Sequence, residues 1–199
     1  GVFANSGYKI GLHPILKVTD SKGKTIQQYK PVESPLLGKK VLPDGVAYII
    51  SNILSDNGAR SASFGSNSPL NIKGQTVSVK TGTTNDYRDN WTIGYTPSFV
   101  VATWAGNNDN KPLQGVVSGI TGAAPIWHQI MAKLLEGKPA ETLSKPDNVI
   151  GATICSTSGL LPQSAGSPYV CPTRYEYFIR GTIPRTVDPG LKKVFVDKT

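Results

Sequence analysis

Lys80-Thr81-Gly82 closes a short alternating stretch, Thr76–Lys80, and runs on into Thr83. Each of these residue types suits one task beside an anion. A lysine ammonium next to a developing oxyanion, a serine alkoxide or a carboxylate stabilises it with little reorganisation. Thr81 and Thr83 are two residues apart, so on a strand both hydroxyls face one side and together hold a carboxylate. Gly82 has no side chain, and a ligand backbone can approach it closely. An open strand edge at Thr76–Lys80 takes up an extended peptide as one further strand. The triplet alone is a common chance match, and a surface turn after an edge strand is the better explanation of it.

Other residues attract notice for their chemistry. His13 precedes Pro14 in a loop and His128 sits inside a helix, neither with a recognisable partner, so both read as structural or solvated. Asp86, Arg88 and Asp89 crowd a tight turn, where charge-assisted hydrogen bonds holding the connection are expected. Trp91, Trp104 and Trp127 fall on apolar strand or helix faces and read as core. Cys155 and Cys171 are the two cysteines. They form no C-x-x-C pair and have no histidine nearby, so no zinc site is expected. They flank a Gly/Pro/Ser-rich loop: either a disulfide closes it, implying an oxidising compartment, or two free thiols remain. No metal and no cofactor is expected.

The elements that must position these residues follow from patterning. Ile15–Thr19 and Thr25–Tyr29 read as a hairpin around Asp20-Ser21-Lys22-Gly23. A Pro-rich loop follows. Asp44 is the expected N-cap of a helix with Val46, Ile49, Ile50, Ile53 and Leu54 on its buried face and Gly58 as its stop. Residues 59–74 read as polar and turn-rich. Trp91–Thr96 and Ser98–Ala105 are strands joined at Pro97, and Gly106–Gly115 is a loop. A last helix, capped by Thr121 and carrying Pro125 near its start, shows an apolar face of Ile126, Trp127, Ile130, Met131, Leu134 and Leu135. Composition shifts at Glu136–Pro146. Beyond it come β-like stretches at Val149–Ile154, Tyr175–Ile179 and Lys193–Val196. The expected fold is α/β (α+β), an antiparallel sheet flanked by helices over residues 1–143, with a small strand-rich appendage over 144–199.

Composition excludes several classes. The chain has 199 residues, 17% of them charged, with 21 Gly and 15 Pro. That is too weakly charged for wholesale disorder and too rich in turns for a helical bundle. No run approaches the roughly 18 apolar residues of a membrane span. The 21 Lys+Arg against 13 Asp+Glu give +8, but they are scattered, so nucleic acid is not an expected partner. There is no signal-peptide pattern, and Met131 is the single methionine. A piece of a longer chain is expected.

The triplet continues as Lys80-Thr81-Gly82-Thr83-Thr84-Asn85-Asp86-Tyr87-Arg88-Asp89-Asn90-Trp91-Thr92-Ile93-Gly94-Tyr95-Thr96-Pro97. This run resembles the transpeptidase domain of class A penicillin-binding proteins, the bifunctional peptidoglycan synthases. K-T-G belongs to the motif set of penicillin-binding proteins and class A β-lactamases. β-Lactamases match less well, because they lack the Asn-Asp-x-Arg-Asp-x-Trp continuation. The likeness extends through Val2–Gly7, Ile53–Gly65, Val101–Asn110 and Gly119–Trp127. The tail, with Cys155, Ser158-Gly159 and Cys171-Pro172, resembles a segment found after that domain.

The resemblance implies an extracytoplasmic D,D-transpeptidase that cross-links peptidoglycan stem peptides ending in D-Ala-D-Ala and binds β-lactams. Lys80 would serve electrostatics and proton transfer, and the Thr83 backbone N–H would be one oxyanion-hole donor. Thr81, Gly82 and Thr83 would receive the substrate carboxylate. The mechanism also needs a Ser-x-x-Lys nucleophile on a helix and a Ser-x-Asn. Ser21-Lys22-Gly23-Lys24 and Ser55-Asp56-Asn57 match literally. Ser21, however, falls in a hairpin turn, where no helix aims it, and Ser55 ends a helix in a segment that is non-catalytic in the family. Both serines of the mechanism are therefore expected upstream of Gly1, in the other half of the same domain, and this chain alone is expected to be inactive. The alternative is a non-catalytic wall-binding or scaffold module with the same fold.

Overall fold

The computed structural model describes residues 1–30, 38–115, 118–164, 166–167 and 169–190. The expected Pro-rich loop falls largely on 31–37, and the expected stretch Lys193–Val196 on 191–199. Both lie outside the described residues. The chain forms two compact units, Gly1–Ser144 and Lys145–Thr199.

The first unit opens with two small ribbons. β1 (Tyr8–Lys9) pairs with β4 (Lys39–Lys40). Between them, β2 (Lys17–Thr19) and β3 (Thr25–Gln28) form the expected hairpin. Asp20 Oδ1 accepts from the Lys22 and Lys24 amides at 2.9 and 2.8 Å, an Asx turn that sets the reversal.

Helix α1 (Asp44–Ser55) begins one residue earlier than expected, because Pro43 takes the cap place and Asp44 enters the first turn. There its carboxylate favours the positive helix end. The buried face also differs from the apolar stripe. Gly45, Ala47 and Ser51 are buried, whereas Val46, Ile49, Ile50 and Leu54 are half-buried and Ile53 is exposed. Close contact selects the small residues. The Ser51 hydroxyl shares a 2.7 Å hydrogen bond with the Tyr95 hydroxyl, and the Ser51 carbonyl accepts from Ser78 Oγ at 2.7 Å.

A second helix, α2 (Asn57–Phe64), occupies part of the stretch read as turns, and Gly58 lies inside it. Asp56 caps it by accepting from the Ala59 amide at 2.9 Å, and Gly65 ends it at φ 77°.

The unit's centre is an antiparallel meander of β5 (Ser78–Thr83), β6 (Asp89–Tyr95) and β7 (Val100–Gly106), in that spatial order. Register places Thr81, Thr92 and Thr103 in one row, and Gly82, Trp91 and Trp104 in the next. Helix α3 (Ala123–Leu135) covers the Thr81–Thr92–Thr103 face. Trp127, Met131 and Leu135 pack there with Leu70, Ile72, Val77, Val79 and Val101. A Cβ on Gly94 would collide with the Trp127 indole, so glycine is what lets the helix settle. Thr121 does not cap α3. Its hydroxyl donates to Ser118 O at 3.0 Å, and Gly122 stands at the cap. Ile126, Ile130 and Leu134 of the expected apolar face are exposed.

The opposite sheet face corrects the expectation for two tryptophans. Trp127 is fully buried, but Trp91 and Trp104 are 42% and 43% exposed. Strand alternation turns them away from α3, and the α1 side chains that bond to the sheet do so at its Ser78–Tyr95 end. With Ile93 and Val100 they leave an open apolar face.

The second unit is built on β8 (Val149–Cys155) and β9 (Thr173–Ile179), paired along their full length. Cys155 and Cys171 are joined as a disulfide, with their Cα atoms 5.6 Å apart. Ser158 Oγ donates to Asp188 Oδ2 at 2.5 Å, and Leu161 bridges Val187, which ties the loop to the segment after β9.

Candidate functional site

β5 is an edge strand, so one side of its backbone is not paired within the sheet. Parity fixes which groups lie there. The Thr84 amide donates inward to Asp89 O at 3.0 Å, so Gly82 and Lys80 also face β6. Val79, Thr81 and Thr83 then face out. Two side chains confirm the parity, for Arg60 Nη1 reaches Val79 O at 3.4 Å and Lys80 Nζ reaches Thr81 O at 2.6 Å. The Thr81 and Thr83 amides thus lie on the open edge, with the Lys80 ammonium folded against it.

The threonine side chains share the α3 face, as two-residue spacing requires. The segment before α3 is pressed onto them. The Gly119 amide donates to Thr83 Oγ1 at 2.9 Å, and Thr92 Oγ1 donates to Gly119 O at 3.5 Å. A Cβ on Gly119 would come within 2.9 Å of Gly82 O and 3.1 Å of Thr81 Cβ, so only glycine fits this approach. Thr83 accepts in that bond, and its hydroxyl proton remains for an anion.

The turn after β5 is held by its own polar groups. The Asp89 amide donates to Thr84 Oγ1 at 2.8 Å, and Trp104 Nε1 donates to Asp89 Oδ1 at 2.9 Å. Arg88 Nη1 donates to Asn110 O at 2.9 Å while Nη2 lies 3.4 Å from Asp86. Asp86 and Tyr87 take left-handed φ values of 60° and 55° to make the bend. Asp86, Arg88 and Asp89 are thus spent on the connection.

The remaining candidates sit elsewhere. The His13 ring stacks on Tyr29 at 3.9 Å, and His128 Nδ1 lies 2.8 Å from Pro69 O. Ser21 lies in the β2–β3 turn, and Ser55 ends α1 with its hydroxyl on Asn52 O at 2.9 Å. No helix aims Ser21. Among the described residues no group of three His, Cys, Asp or Glu side chains forms a metal site.

Arg60 is the site residue that patterning missed. It projects from α2 into a groove of about 280 Å3, lined also by Ile53, Leu54, Phe64, Lys80 and Thr81. Burial draws its guanidinium below the ordinary arginine value, and the Asp56 carboxylate opposes that shift. The available signal was Asp56 as a cap and Gly65 as a stop. Without an apolar period between them, the helix did not stand out.

Known proteins carry the same architecture. Residues 145–193 match the family model described as penicillin-binding protein 1A, C-terminal domain. Penicillin-binding protein 1A of Clostridium tetani is 34% identical over 190 residues, covering 92% of this chain. The chain belongs to the class A penicillin-binding proteins. It spans 22% of the length of that Clostridium relative. Penicillin-binding protein 1A of Neisseria lactamica is 32% identical over 153 residues, covering 75% of this chain and 18% of its own length. The crystal structure of penicillin-binding protein 1A from Haemophilus influenzae superposes with a TM-score of 0.75 at 26% identity, over 94% of this chain and 31% of that one. The α/β fold with its antiparallel sheet is therefore a penicillin-binding protein fold. No helix among the described residues is long and apolar enough to cross a membrane.

Proposed function

We propose that this chain forms one wall of a serine D,D-transpeptidase site that cross-links peptidoglycan on the outer side of the cytoplasmic membrane. The observation that carries the reading is the open edge of β5, where the Thr81 and Thr83 amides face outward and the Lys80 ammonium donates to the Thr81 carbonyl. A stem peptide ending in D-Ala-D-Ala lies along that edge as an added strand. The Thr83 amide donates to the carbonyl oxygen as it becomes an oxyanion. The Thr81 and Thr83 hydroxyls hold the terminal carboxylate, and Gly82 allows the close approach. Lys80 offsets the negative charge and assists proton transfer.

The nucleophile is a serine outside these 199 residues. It attacks the penultimate carbonyl, forms an ester and releases D-alanine, which leaves with a proton. The amine of a second stem peptide then displaces the serine. A β-lactam enters by the same first step, and its ring nitrogen stays tethered.

Residues 1–143 are the portion of the transpeptidase domain that does this, and 144–199 are an appendage after it. The test is acylation by benzylpenicillin of the 199-residue chain and of the longer polypeptide that contains it. The longer protein is expected to gain a stoichiometric adduct and the chain alone none. An adduct on neither refutes the reading in favour of a non-catalytic wall module.

A further inference from the structure

The free edge of a strand offers carbonyl acceptors as well as amide donors, and on β5 two of the acceptors are already taken. Val79 O receives Arg60 Nη1, and Thr81 O receives Lys80 Nζ. What remains facing outward over Thr81–Thr83 is chiefly N–H groups beside two cations. Such an edge suits an added strand whose end is rich in oxygens.

Lys80 belongs to the strand itself, but Arg60 comes from another element. The Asp56 cap starts α2 so that Arg60 falls one turn in, facing β5. Arg60 Nε is buried and has no hydrogen-bond partner among the described residues. A side chain kept only for stability would pair that donor, since a buried unpaired one is costly.

We infer that Arg60 is a positioning residue. By holding the Val79 carbonyl from α2, it closes the edge at that rung and fixes the register in which an acyl donor lies along Thr81–Thr83. Strand pairing slips in steps that keep the side-chain alternation, so freeing Val79 offers a ligand a second register two residues away. In that register the reacting carbonyl misses the Thr83 amide. The inference rests on the acyl-transfer reading above.

The test follows benzylpenicillin acylation at saturating concentrations in the longer polypeptide that carries the nucleophile, for wild type, Arg60→Lys and Arg60→Ala. Losing a charged hydrogen bond that sets register is expected to lower the limiting acylation rate of Arg60→Ala by about tenfold. The half-saturating concentration is expected to move by less than about threefold. Arg60→Lys, which keeps the charge and a donor, recovers part of the rate. A wild-type rate in Arg60→Ala overturns the inference. So does a loss that tracks a fall in melting temperature and is not rescued by lysine. Should Arg60→Ala fail to fold, Arg60→Gln keeps much of the side chain's length and is expected to be slower than wild type by at least about threefold. An unchanged rate in Arg60→Gln overturns the inference equally. A wild-type protein that is not acylated at all refutes the acyl-transfer reading, and the inference falls with it.

Discussion

The Gly119 amide donates to the Thr83 hydroxyl across 2.9 Å, which binds the segment before α3 to the end of the K-T-G strand. Two elements far apart in sequence thereby set one wall of the site. Removing the hydroxyl leaves the part-buried Gly119 amide unpaired. Thr83→Val is therefore expected to cost about 1–3 kcal/mol, while Thr83→Ser keeps the bond. Urea unfolding of the chain measures both, and a Thr83→Val midpoint equal to wild type contradicts the account.

Gly119 is the partner that allows the contact. A Cβ there meets the Gly82 carbonyl oxygen at 2.9 Å, and backbone cannot step aside cheaply. Gly119→Ala is expected to destabilise the first unit by about 1–3 kcal/mol. A differential scan that shows no lowered transition would mean that this segment sits elsewhere.

Asn90 lies opposite Thr83 with no exposure, and neither Nδ2 nor Oδ1 has a partner among the described residues. Leucine has a similar shape and no polar groups. Asn90→Leu is expected to stabilise the chain by about 1–3 kcal/mol, read as a higher denaturation midpoint. A lower midpoint would show that the amide is satisfied in solution.

The Cys155–Cys171 bridge closes a loop with a sequence separation of 16. In the chain-entropy model a loop of that size contributes about 3 kcal/mol. Replacing both cysteines by serine is expected to lower the stability of the second unit by that order. Hydrogen exchange on β8 and β9 is the readout, and unchanged protection would refute the estimate.

Much of this fold was legible because its signals are local. The hairpin follows from Asp20 and Gly23, the β6–β7 connection from Pro97, and β8 and β9 from the β-like stretches Val149–Ile154 and Tyr175–Ile179. What was not legible depends on partners. The α1 stripe predicted the wrong buried face, since Gly45, Ala47 and Ser51 win by letting the helix approach the sheet. Trp91 and Trp104 looked like core, yet the side of the sheet that α3 covers is a tertiary choice that no residue in the strand announces. At the site, Lys80, Thr81, Gly82 and Thr83 stood out through one contiguous motif. Arg60 did not, because its place depends on a short polar helix marked only by the Asp56 cap and the Gly65 stop.

Intact-mass and peptide mapping of the longer polypeptide after benzylpenicillin, with wild-type Lys80 and with Lys80→Ala, tests the central claim most directly. The account predicts one acyl adduct on a serine outside these 199 residues, formed much more slowly when Lys80 is replaced. An adduct on Ser21, Ser55 or any other serine of this chain, or equal labelling of the Lys80→Ala protein, would contradict it.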